Sequence, residues 1–194
     1  RLLELVSQGD ERALERLLAA HRPYLRRLIE LRMEDDLHAR VDPSDVVQET
    51  QLAVIRRIDD FLSRRPMSFR LWLRSKALEK LVEARRHHHA QKRSVEREVA
   101  LSSVSSFAIA KHLCPSRPSS AMQQQELAQA AHQALATMSE LDREVLVLRH
   151  GEGLANAEVA EVLGIEPDAA SKRYGRAVRR LCEKLREMGI PPEV

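Results

Sequence analysis

The chain has 194 residues, 43% of them hydrophobic and 3% aromatic, enough for one or two domains; few aromatics and many Leu, Ala, Arg and Glu favour helical packing. Cys114 and Cys182 have no CxxC or zinc-type spacing, so they read as free thiols of a reducing cytosol, and neither a signal peptide nor a bilayer-spanning apolar run is present. The formal net charge of +3 is too mild to name nucleic acid as a partner, but the arginines cluster at 64–93 and 172–186, which says more. The chain does not open on Met, which leaves room for residues upstream.

Residues 1–33 read as helix, broken early. Leu2, Leu3, Leu5 and Val6 make a short apolar segment that Gly9 and Asp10 interrupt. Asp10 then caps a longer helix carrying Leu14, Leu17, Leu18, Leu25, Leu28 and Ile29, with Pro23 placed to kink it. Asp42-Pro43 opens the next helix, with Asp as the cap and Pro at the first helical position. On that helix Val47, Val54, Ile58 and Phe61 form a core stripe, while Asp45, Gln48, Glu49, Leu52 and Arg56 fall on the opposite side.

A loop with Arg64, Arg65, Pro66 and Ser68 follows. The helix after it is apolar on more than one side: Phe69, Trp72, Leu73, Ala77 and Leu81 form one set, and Leu71, Leu78 and Val82 another. A helix of that kind is packed centrally in its domain. Arg70, Arg74 and Arg85 share one charged face, Lys76 and Lys80 share another, and the helix grows more basic toward Arg85, Arg86, Lys92 and Arg93. Trp72 is expected in the core rather than as a base-stacking platform. His87, His88 and His89 point in different directions on a helix, so they read as a polar extension rather than a chelate.

Residues 94–120 change character. The stretch is Ser-rich, with Pro115 and Pro118 near its end, and reads as a flexible linker with a short helix around Val104–Leu113. From Ala121, Leu127, Ala130, Ala134, Leu135 and Met138 give one helix. Ser139 caps another, with Glu140, Asp142 and Glu144 in its early turns and Val145, Leu146 and Leu148 in its core; Gly151 and Gly153 end it. A short helix, a tight turn at Gly164 and a long basic helix close the chain, which is a helix-turn-helix pattern. In the last helix Ala170, Tyr174, Ala177, Val178, Leu181 and Leu185 share a core face. Lys172, Arg176 and Arg179 lie opposite, with Arg173 and Arg180 on the flank, a cationic stripe suited to phosphates and base edges. No Ser, His and Asp set for nucleophilic catalysis and no Gly-rich phosphate loop occurs.

Two stretches carry a family resemblance. DPSDVVQET, IDDF and SFRLWL with its basic helix, together with SQGDERALERLLAAHRPYLRRL upstream, resemble the second conserved region of sigma-70 factors of the extracytoplasmic-function group. LSELDREVLVLRHGEGLANAEVAEVLGIEPDAASKRYGRAVRRL resembles their fourth region, with Arg173, Arg176 and Ala177 matching its usual Arg–Arg–Ala pattern. The resemblance implies an all-α chain of two helical domains, 1–93 and 121–194, joined by the linker 94–120. It implies a cytoplasmic, non-enzymatic sigma factor without cofactor or metal, whose partners are core RNA polymerase and promoter DNA, with room for an anti-sigma factor and none for a membrane.

In that frame Asp42, Asp45, Gln48, Glu49 and Leu52 hold the polymerase clamp. Arg64, Arg65, Ser68, Arg70, Arg74, Arg85 and Arg86 serve the minus-ten element. Arg149, Ser171, Lys172, Arg173, Arg176 and Arg179 serve the minus-thirty-five element, with Arg149 on a phosphate. Three positions depart from the family. Ala155 replaces a capping Ser or Thr, so Asn156 is expected to cap. Glu166-Pro167-Asp168-Ala169 replaces a small, Thr-containing opening of the recognition helix. Gly175, which costs about 1 kcal/mol against Ala in a helix, is expected to let the backbone come close to DNA. The rival reading is a helix-turn-helix regulator with an N-terminal ligand or dimerisation domain, which would have no need of an acidic outer face at Asp45–Leu52.

Overall fold

The computed structural model describes residues 1–89, Ser106, Ile109 and residues 121–190. The chain divides into two units, Arg1–Ala100 and Leu101–Val194. Every regular element among the described residues is helical.

In the first unit the helices are α1 (Leu2–Ser7), α2 (Glu11–Arg32), α3 (Asp35–His38), α4 (Pro43–Arg64) and α5 (Phe69–His89). Local chemistry sets their ends. Gly9 takes φ +85° between α1 and α2, and the Asp10 carboxylate accepts from the Ala13 N–H at 3.0 Å, satisfying a donor that the first turn leaves unpaired. α2 runs as one helix through Pro23. Asp42 caps α4 by accepting from the Ser44 N–H at 2.7 Å, with Pro43 in the first turn. α4 ends at Arg65, whose φ of 41° is left-handed and whose N–H reaches the Phe61 carbonyl at 2.7 Å.

α2, α4 and α5 pack against one another, with α1 on α2. Their shared core contains Leu25, Leu28, Ile29, Val54 and Leu73, all fully buried. Phe61 and Trp72 stack within it, ring centroids 4.5 Å apart and planes at 21°, and Phe69 meets Phe61 edge-on at 5.6 Å. Trp72 is thus a core residue, 8% exposed. Leu71 is buried as expected, but Val82 is exposed on α5.

In the second unit the helices are α6 (Ala121–Ala136), α7 (Glu140–Leu146), α8 (Asn156–Leu163) and α9 (Pro167–Glu187); a π-helical turn, Val147–Gly151, continues α7. α9 packs on α6, α7 and α8. Val145, Leu146, Leu148, Leu154, Val159, Leu181 and Leu185 are fully or almost fully buried. Ser139 caps α7 through its hydroxyl, which accepts from the Asp142 N–H at 3.3 Å. Gly164, at φ +62°, makes the turn between α8 and α9. Cys182 is a buried free thiol, and desolvation pushes its pKa up.

Most of the expected linker, with Lys92, Arg93 and Cys114, lies outside the described residues. Two positions within it, Ser106 and Ile109, are helical and fully buried. Ser106 Oγ sits 3.2 Å from His132 Nδ1 on α6. At these positions the segment is packed rather than exposed. An isoleucine gains from leaving water, and the serine hydroxyl finds a partner as it does so.

Candidate functional site

The surface-facing side of α4 forms the first candidate interface. Asp45, Gln48 and Glu49 are exposed there, turned away from buried Val46, Val47, Thr50 and Val54. Thr50 tolerates burial because its hydroxyl donates to the Val46 carbonyl at 2.7 Å. Leu52 is 52% exposed, and Ile55, which the sequence reading passed over, is 47% exposed beside it. Both line an open depression between α2 and α4, together with Leu18, Ala19, Glu15 and Arg22. Ile55 lies three residues beyond Leu52, so helical spacing alone could have found it. Asp42 stands at the end of this face, and hydrogen bonds from Ser44 hold its carboxyl below the usual carboxylate range.

The turn after α4 and the start of α5 form the second. Arg64, Arg65, Pro66, Met67 and Ser68 are exposed. Arg64 is 3.0 Å from Asp60, and the Ser68 hydroxyl accepts from the Leu71 N–H at 3.3 Å, which makes it the cap of α5. The arginines of α5 do not all face outward. The Arg70 guanidinium lies over the Tyr24 ring, 4.5 Å from its centroid. Arg85 is ion-paired with Glu34, each side chain more than three-quarters covered. Arg74 is half-buried and Arg86 exposed. Lys76 and Lys80 pair with Glu79 and Glu83 on the same helix. The basic end of α5 is thus partly neutralised by carboxylates. His21 is set edge-on to Phe69 at 5.3 Å, and burial, with Arg70 nearby, lowers its pKa.

The third lies on α9. Ser171, Lys172, Arg176 and Arg179 are exposed on one side, opposite buried Ala170, Ala177, Leu181 and Leu185. A Cβ added at Gly175 would meet nothing within 4 Å, so internal packing does not require the glycine. Two expected DNA-binding arginines are engaged internally. Arg173 Nη1 reaches Asp142 Oδ1 at 3.2 Å, and Arg180 bonds the other carboxylate oxygen of Asp142, whose side chain is only 4% exposed. Arg149 donates to the Leu154 carbonyl at 2.9 Å and lies over the Tyr174 ring. Tyr174 OH is in turn 2.8 Å from His150 Nε2. Asn156 does not cap α8. The cap residue is Ala155, whose N–H donates to the Glu158 carboxylate at 2.8 Å, because an alanine offers no side-chain acceptor of its own. Asn156 instead donates to the Pro167 carbonyl at 2.8 Å.

Among the described residues, no three His, Cys, Asp or Glu side chains are grouped to hold a metal, and no helix is long and apolar enough to cross a membrane.

Comparison with known proteins draws these surfaces together. A family model for ECF sigma factors matches residues 1–187. The chain is 32% identical over 146 residues to the RNA polymerase sigma factor CnrH of Cupriavidus metallidurans, covering 72% of this chain and 71% of the relative. The solved structure of CnrH in complex with the cytosolic domain of CnrY superposes with a TM-score of 0.54 at 26% identity, over 96% of both chains. A free-standing helix-turn-helix regulator does not account for a match that runs through both units. The chain belongs to the ECF sigma factor family, transcription initiation factors that bind core RNA polymerase and promoter DNA and direct initiation to specific promoters.

Proposed function

We propose that the three surfaces divide the work of a sigma factor among them. Asp42, Asp45, Gln48, Glu49 and Leu52, joined by Ile55, dock on core polymerase. The segment Leu62–Ser68 and the adjoining part of α5 capture bases of the opened minus-ten element, with Arg64, Arg65, Ser68, Arg74 and Arg86 facing the strand. Arg70 and Arg85 hold α5 in place through Tyr24 and Glu34. Ser171, Lys172, Arg176 and Arg179 read the duplex upstream, while Arg149 steadies the helix-turn-helix. In domain terms, residues 1–93 are the polymerase and minus-ten part and residues 121–194 the minus-thirty-five part. The bond-making chemistry belongs to the polymerase, so the chain itself needs no enzymatic site and works in the cytoplasm. CnrH was solved with the cytosolic domain of CnrY, and a protein inhibitor is proposed as a further partner here.

The observation that carries this reading is the outer face of α4, where exposed carboxylates stand beside two exposed aliphatic side chains. An interface core of aliphatic anchors with a charged surround is what a specific protein partner requires. The test is the double variant Asp45→Lys with Glu49→Lys. Exposed substitutions of this kind change stability little, so circular dichroism should match wild type while affinity for core polymerase and run-off transcription are lost. Equal core affinity in a folded variant would reduce this face to solvated surface.

A further inference from the structure

The carboxylate of Asp142 is nearly buried at the start of α7, yet it holds two arginines of α9 at once, Arg173 on one oxygen and Arg180 on the other. These residues are 31 and 38 positions away in sequence, so the network is a tertiary one. One anion could have been neutralised by one cation. Here it takes two, and they sit on the flank of the Lys172, Arg176 and Arg179 stripe, one residue further round the helix. Arg180 remains 57% exposed and Arg173 30%. Both side chains are long enough to compete for a phosphate if released.

We propose that Asp142 determines how strongly and how selectively α9 binds duplex DNA, by withholding Arg173 and Arg180 from the phosphates. This rests on the reading of α9 as the recognition helix. Moving either arginine to DNA weakens the pairing of a buried carboxylate, which is strongly unfavourable. Phosphate contacts add affinity without sequence information. Holding two of them back leaves Ser171, Lys172, Arg176 and Arg179 as the contacts that count, and raises the share of the binding free energy that depends on sequence.

The experiment measures the affinity of the full-length chain for a fluorescent duplex of mixed sequence across a salt series. Asp142→Asn keeps the side-chain shape and removes the charge. It should tighten binding about tenfold at moderate salt and steepen the salt slope by about 0.9 for each arginine released. A slope unchanged by Asp142→Asn, while Lys172→Ala with Arg176→Ala lowers it, overturns the proposal and leaves the recognition helix standing. If Lys172→Ala with Arg176→Ala also leaves the slope unmoved, the recognition-helix reading falls and this proposal with it. Arg173→Gln covers the case in which Asp142→Asn fails to fold, since Arg180 still neutralises Asp142 there. Its slope should equal that of wild type. A loss of about 0.9 would mean that Arg173 already contacts phosphate, and the proposal fails.

Discussion

The side-chain amide of Asn156, in the first turn of α8, donates to the main-chain carbonyl of Pro167, in the first turn of α9, across 2.8 Å. The bond spans the turn of the helix-turn-helix and ties the two N-termini together. Asn156→Ala should therefore lower the stability of the second unit by about 1 kcal/mol, the usual net worth of such a bond. Duplex binding should weaken as the recognition helix loses its fixed approach. Thermal denaturation and a duplex titration check this; unchanged values in both would mean that packing alone sets the angle.

Trp72 stacks on Phe61 inside the first unit. Trp72→Ala should cost about 3–5 kcal/mol, as large-to-small aromatic changes in cores do. Urea denaturation of the full chain should show the loss in the transition of residues 1–89. Normal stability with a defect confined to promoter opening would instead assign Trp72 to the captured strand.

His21 gives the first unit a pH dependence of known sign. Its pKa is lowered in the folded state, first by burial and then by the Arg70 charge, so between that lowered value and the usual 6.5 or so the unfolded chain binds more protons. Stability from keeping the imidazole neutral is full above about pH 6.5 and declines as pH falls below it. His21→Gln should flatten the stability profile in that window. A profile identical to wild type would assign the slope to other groups.

Substitutions in Leu62–Ser68 should change minus-ten preference and leave minus-thirty-five preference alone. Transcription by reconstituted holoenzyme from libraries randomised at one element at a time separates the two. An unaltered minus-ten profile for an Arg64→Ala, Arg65→Gly double variant would place base capture elsewhere.

Much of the architecture was legible because it is local. Asp10, Asp42 and Ser139 all cap the helices expected of them, since a cap is decided within three residues. The stripes of α4 and α9 were legible because helical periodicity separates core from surface. What periodicity cannot supply is the partner of a charge. Arg85, Arg149 and Arg173 lie on faces that look cationic in sequence, yet Glu34, the Leu154 carbonyl and Asp142 engage them. Asn156 was misassigned for the same reason: its acceptor is eleven residues away, beyond a turn whose geometry had to be known first.

The left-handed backbone of Arg65 has a consequence for timing. Its torsions are unusual for a residue with a Cβ and lie just before a proline, which narrows the choice further. The bond to the Phe61 carbonyl on one side and the Ser68 cap on the other leave few free rotations between α4 and α5. Ordering a residue costs on the order of 1–2 kcal/mol of conformational entropy, and this turn has lost most of that freedom on folding. In its proposed role the turn is a preformed socket. The rate at which it takes up an unstacked nucleotide is then governed by how fast the base leaves the duplex, not by how fast the protein rearranges around it.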